Sequence, residues 1–127
     1  MEYAYPAIFH KNEDNTYTIT FPDLPGCISE GKNIANAMFM SQAALTQWVE
    51  YLQDKKENLP VPSSLADIQL EPNEFANYVC INYKDTRAVK RTVSIPKWMD
   101  ELVIESGLSL SRVLQDALKQ RFESLHA

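Results

Sequence analysis

The sequence predicts an α+β fold: a small antiparallel sheet with one long helix on a face, followed by a strand and two shorter helices. Three observations carry this reading. Residues 16–21 alternate strictly between apolar and polar, one turn after an aromatic and aliphatic run at residues 3–10, as a hairpin requires. From Ile34 to about Lys55 the apolar residues recur at helical spacing. The last third, residues 88–125, runs in the order alternating segment, proline, amphipathic segment, glycine, amphipathic segment.

Residues 3–10 read as the first strand, with Pro6 suited to a sheet edge or a bend. Asn12-Glu13-Asp14-Asn15 is a turn cluster. The second strand, residues 16–21, places Tyr17, Ile19 and Phe21 on one face, because strand side chains alternate. Pro22-Asp23-Leu24-Pro25-Gly26 is a rigid loop in which Asp23 is expected to bond the amides of its own loop. Residues 27–30 form a short third strand ended by Gly31. Asn33 caps the long helix, whose expected core face is Ile34, Ala37, Met38, Leu45, Trp48, Val49 and Leu52. Pro60 and Pro62 keep residues 58–64 extended. A further strand lies within residues 75–83, and its apolar run Tyr78-Val79-Cys80-Ile81 predicts burial on both faces. Residues 84–87 read as a linker, so the expected domains are residues 1–84 and 88–127.

One strand and two helices are too few to bury a core alone, so the tail asks for a second copy of itself. In the strand at residues 90–95, Val93 and Ile95 point to one side and Lys90, Thr92 and Ser94 to the other, with Arg91 at the edge. Two such strands from two chains form an antiparallel ribbon that fits the DNA major groove. There Lys90 reaches guanine acceptors and the two hydroxyls give or accept hydrogen bonds on base edges. Pro96 starts the first helix, since it needs no amide partner there. Gly107 suits a left-handed cap and Ser109 an N-cap for the second helix. Leu102 in the first helix and Val113, Leu114 and Leu118 in the second join Val93 and Ile95 as the expected dimer core. The free amides around Ser109, Leu110 and Ser111, with Arg112 and Arg91, make a phosphate clamp.

The net charge of −5 is unevenly placed. Residues 1–86 carry five lysines against twelve acids, and residues 87–127 carry seven cations against five acids. An acidic front is repelled by nucleic acid and attracted to a basic protein. No apolar run approaches the roughly 20 residues of a membrane span, and Met1-Glu2-Tyr3 lacks the start of a signal peptide. Cys27 and Cys80 form no metal-ligand pattern and read as reduced, buried thiols of a cytoplasmic protein. His10 and His126 have no cysteine or serine at a nucleophile spacing. Asp14, Asp23 and Glu30 do not gather as the carboxylates of a two-metal nuclease would. No catalytic residue, metal site or cofactor is therefore expected.

Two resemblances follow from these residues. The order strand, Pro96, helix, Gly107-Leu108-Ser109, helix resembles the ribbon-helix-helix repressors. This implies an intertwined dimer that reads bases through Lys90, Thr92 and Ser94. The front half, with Phe21-Pro22-Asp23-Leu24-Pro25-Gly26-Cys27, then Gly31, a helix and Leu59-Pro60-Val61-Pro62-Ser63, resembles the HicB-type antitoxins. That resemblance implies a partial, degenerate ribonuclease-H-like front domain. It also implies a function: the front domain covers a HicA-type toxin, a small basic protein that cleaves messenger RNA. The tail, as a homodimer or within a tetramer, binds operator DNA and represses the operon. The chain departs from the family at Asp14-Asn15-Thr16 in the hairpin tip and at Asn36-Ala37 in the helix start, changes that bear on which toxin is recognised. Two other classes stay open: a ribbon-helix-helix regulator whose front domain senses a ligand, and a residual nuclease.

Overall fold

The hairpin read at the start of the chain forms the middle of the sheet. In the computed structural model, which describes residues 1–125, strand β1 (Glu2–Lys11) pairs antiparallel with β2 (Tyr17–Thr20), placing Phe9 opposite Ile19. Asn15 closes the turn with φ +66°, and Asp14 Oδ1 accepts from the Thr16 hydroxyl at 2.6 Å. On the outer side of β2 lies β3 (Ile28–Gly31), and on the far side of β1 lies β4 (Glu74–Asn82), so the order is β3-β2-β1-β4. All three pairings are antiparallel.

Pro6 lies inside the central strand, and the ladder explains how it is tolerated. Met1 and Tyr83 exchange both backbone bonds, each at 2.9 Å, and the Lys11 amide donates to the Asn73 carbonyl at 2.9 Å. Bonded pairs therefore recur at every second residue, and Pro6, opposite Tyr78, falls at a non-bonded pair. Its missing N–H faces away from β4, on the side where β2 has already ended, because β2 pairs only with residues 8–11.

Helix α1 (Ile34–Asp54) covers one face of the sheet. Asn33 Oδ1 accepts from the Asn36 amide at 2.8 Å, and Asn36 Oδ1 accepts from the Lys32 amide at 2.9 Å, a reciprocal cap. The helix buries Ala37, Leu45 and Val49 against Tyr5, Ala7, Phe9, Ile19 and Val79, and Leu52 is buried as well. Met38 and Trp48 are partly buried against this core, but Ile34, expected there, is exposed. Ser41 takes a fully buried place instead. Its hydroxyl donates to the Met38 carbonyl at 2.7 Å, which satisfies the group without water. Gly31 sits where a side chain would not fit, since a Cβ there would lie 2.4 Å from the Ala37 Cα.

The proline-rich corner is two successive turns, Leu24 N–H to Phe21 O and Cys27 N–H to Leu24 O, both at 3.0 Å. They drive Phe21, Leu24 and Cys27 into the core. Gly26 has φ +98°, and the Trp48 ring lies 3.1 Å from the place of a Cβ there, so glycine meets both demands. Asp23 does not bond its own loop. Its carboxylate accepts from the Ser63 amide at 2.9 Å and the Ser63 hydroxyl at 2.5 Å, tying the corner to the second proline-rich segment.

Strand β4 departs from expectation. It lies at the sheet edge next to β1, with Val79 buried and Tyr78 and Cys80 exposed, so its apolar run is covered on one side only. Cys27 is buried as expected, and burial pushes its thiol up to about 11.

The chain divides into two compact units, Met1–Arg87 and Ala88–Ala127. In the second, α2 (Lys97–Ser106) follows Pro96, which stands at the N-cap, one residue before the helix proper. Gly107 caps it with φ +68° and donates to the Val103 carbonyl. Helix α3 (Leu110–Leu125) follows. Residues 83–96 carry neither helix nor strand. The alternating segment at 90–95 is thus not a strand in the single chain, for a strand exists only through a neighbour's hydrogen bonds.

Candidate functional site

The second unit has no buried side chain among its described residues. Its apolar residues are instead exposed: Val93 at 66%, Ile95 at 40%, Leu102 at 54%, Val113 at 46%, Leu114 at 44% and Leu118 at 42%. All six were read as dimer core. Soluble chains rarely leave such a stripe to water. The helices gain nothing from their spacing unless that stripe is covered, because a short helix is stabilised chiefly by packing its apolar face.

Lys90, Arg91, Thr92 and Ser94 are exposed along the unpaired segment. At the start of α3, Ser109 is the cap: its hydroxyl accepts from the Arg112 amide at 3.4 Å and its carbonyl from the Val113 amide at 3.0 Å. A polar depression here brings together Ser109, Ser111 and Arg112 with Gln115, Asp116 and Lys119. Leu110, half exposed, is not among its lining residues, although its first-turn amide has no intrahelical acceptor. Lys119 was missed by the sequence reading. Its place seven residues after Arg112, two helical turns on, was the available signal. Two cations against one acid, beside free first-turn amides, suit an anion of phosphate size.

In the first unit the chemistry is that of structure and charge. Among the described residues no group of three or more His, Cys, Asp or Glu converges to hold a metal ion. Asp14 is spent on Thr16, Asp23 on Ser63, and Glu30 is exposed on β3. His10 Nδ1 bonds Glu74 Oε2 at 3.0 Å. His126 lies outside the described residues. Near the unit's end, the Arg87 guanidinium meets Asp85 at 2.6 Å, Asp54 at 2.9 Å and Glu50 at 3.4 Å. It holds the Asp85 carboxyl down at about 2 and lowers that of Asp54 as well. No helix among the described residues is long and apolar enough to cross a membrane.

Known proteins share this fold. A toxin–antitoxin complex from Streptococcus pneumoniae contains a chain 27% identical to this one, with a TM-score of 0.62, covering 95% of this chain and 99% of that one. The antitoxin HicB of Burkholderia pseudomallei is 25% identical with a TM-score of 0.53, covering 91% and 96%. A UPF0150 protein of Thermoplasma acidophilum is 34% identical over 56 residues, 44% of this chain and 81% of that protein. Residues 5–116 match the family described as HicB-like antitoxin of bacterial toxin-antitoxin system. With its sheet, its long helix and its two terminal helices in that order, the chain belongs to the HicB-like antitoxin family.

Proposed function

We propose that this antitoxin works by two separate contacts. The Met1–Arg87 unit binds and neutralises a HicA-type mRNA-cleaving toxin, and the Ala88–Ala127 unit pairs with its twin as a ribbon-helix-helix that binds operator DNA and represses its own operon. The proposal rests on one observation above all: the second unit leaves its whole apolar stripe exposed in a single chain. Pairing two chains covers that stripe and gives each 90–95 segment the strand partner it lacks. The ribbon then turns Lys90, Thr92 and Ser94 outward to base edges. Arg91 and the start of α3, with Ser109, Leu110, Ser111 and Arg112, contact phosphates and fix the register. The charge split supports the division of labour, since twelve acids in residues 1–86 favour a basic protein and disfavour DNA.

The test is operator binding by Thr92→Ala and Ser94→Ala variants, read by fluorescence anisotropy on DNA from upstream of the protein's own gene. Each lost base contact should reduce discrimination between operator and scrambled DNA by about 1–3 kcal/mol while the dimer persists in sedimentation. Unchanged discrimination in both variants would remove the ribbon as reader. The toxin contact is tested separately, by whether co-expression of the chain restores growth arrested by a HicA-type toxin.

A further inference from the structure

We propose that the sheet face opposite α1 is where the first unit holds its protein partner, through a surface on that partner that is basic. This assignment rests on the antitoxin reading, under which the partner is the toxin.

The face is defined by the ladder. Residues that alternate with the buried Phe9, Ile19 and Val79 point away from the helix. The registers Ile8↔Ala76, Ile8↔Thr20 and Thr20↔Ile28 place these four residues in one row across all four strands. Ile28 is 61% exposed, and Ile8 is half-buried. Pro6 and Tyr78, further along the same face, lie under the Leu65 turn, with Pro6 fully buried and the Tyr78 hydroxyl accepting from the Leu65 amide. The open part of the face is its β3–β2 side. The next row is Glu74, His10, Thr18 and Glu30, again one residue from each strand. Glu2 lies at the far end of β1 on the same side.

The charged strand residues on this side are therefore three glutamates, with His10 bonded to one of them. The strands contain one lysine or arginine, Lys11, and alternation carries it to the helix side. A row of small and aliphatic side chains, uncharged throughout, with an acid-only rim repels nucleic acid, and it attracts and orients a basic protein. Helix α1 offers the competing surface on the opposite side of the unit. Phe39 is 66% exposed there, but residues 34–49 contain no charged residue, and the acids further along the helix, Glu50 and Asp54, are already paired with Arg87, so the surface around Phe39 offers no net sign to select a partner.

The experiment measures binding of the full chain to a purified HicA-type toxin by calorimetry. The Ile28→Arg/Glu30→Lys double variant changes two exposed side chains on β3 and should bind at least tenfold more weakly, with far-UV circular dichroism unchanged. Phe39→Arg should bind within twofold of the wild type. Should the double variant melt early, Glu30→Lys alone, on a solvated side chain, should still weaken binding severalfold and more so at low salt. Wild-type affinity in the β3 variants, or loss of binding by Phe39→Arg alone, would overturn the assignment in favour of the helix side. Failure of the wild type itself to bind any HicA-type toxin would refute the antitoxin–toxin pairing, and the face with it.

Discussion

Leu114→Ala probes directly the shared core proposed for the second unit. In a single chain 44% of Leu114 stays exposed. Full burial of a leucine is worth about 1.5–3 kcal/mol, so covering that remainder with a second chain contributes roughly 1 kcal/mol per copy. The vacated space adds a cavity cost of about the same size. A twofold dimer changes both copies at once. The dimer should therefore lose about 2–4 kcal/mol, or roughly 30- to 700-fold in dissociation constant. Sedimentation equilibrium across a concentration series reads this quantity, with Val61→Ala, an exposed valine of the first unit, as the control expected to change nothing. A Leu114→Ala constant within threefold of the wild type, or a wild type that sediments as a monomer throughout, would refute the argument.

Three further outcomes concern the first unit. Gly31→Ala places a Cβ 2.4 Å from Ala37 Cα and 2.6 Å from Ala37 N, atoms of backbone that cannot swing aside. It should cost about 1–3 kcal/mol or more in urea denaturation, as overpacking does. Asp23→Ala removes the two bonds from Ser63 and should lower stability by about 1.5–3 kcal/mol while leaving the proposed DNA binding by the second unit unchanged. Asp85, held at about 2 by Arg87, has a folded value below the unfolded value of about 3.9. Its contribution to stability is thus complete above about pH 4 and fades as pH falls towards 2. In Arg87→Gln the Asp85 carboxyl should titrate in the ordinary carboxylate range by NMR, and an unmoved titration would show that Arg87 is not the cause.

The corner at residues 21–27 and the cap at Gly107 were legible in the sequence because each depends on backbone freedoms carried by a few adjacent residues. Proline and glycine restrict or release φ wherever they stand, so Gly26 and Gly107 announce their left-handed conformations locally. The same holds for α1, whose cap Asn33 and apolar spacing lie within one segment. Candidate site residues were legible in kind, as hydroxyls and cations beside an apolar stripe. The grouping of Ser109, Ser111 and Arg112 with Lys119 needed the helix to bring them to one side.

Periodicity alone established that this chain makes a hairpin, a long amphipathic helix and a pair of short helices too apolar to stand by themselves. Which strands lie at the edges was decided only in three dimensions. Strand β4 returns past a long proline-rich excursion to pair with β1, and that choice left Tyr78 and Cys80 in the open, where the local run predicted burial. It also joined Asp23 to Ser63 and set Arg87 against Asp54. Neighbouring residues fix torsions, whereas partners distant in sequence are selected by the whole set of cross-strand contacts, a sum that no single window of the chain contains.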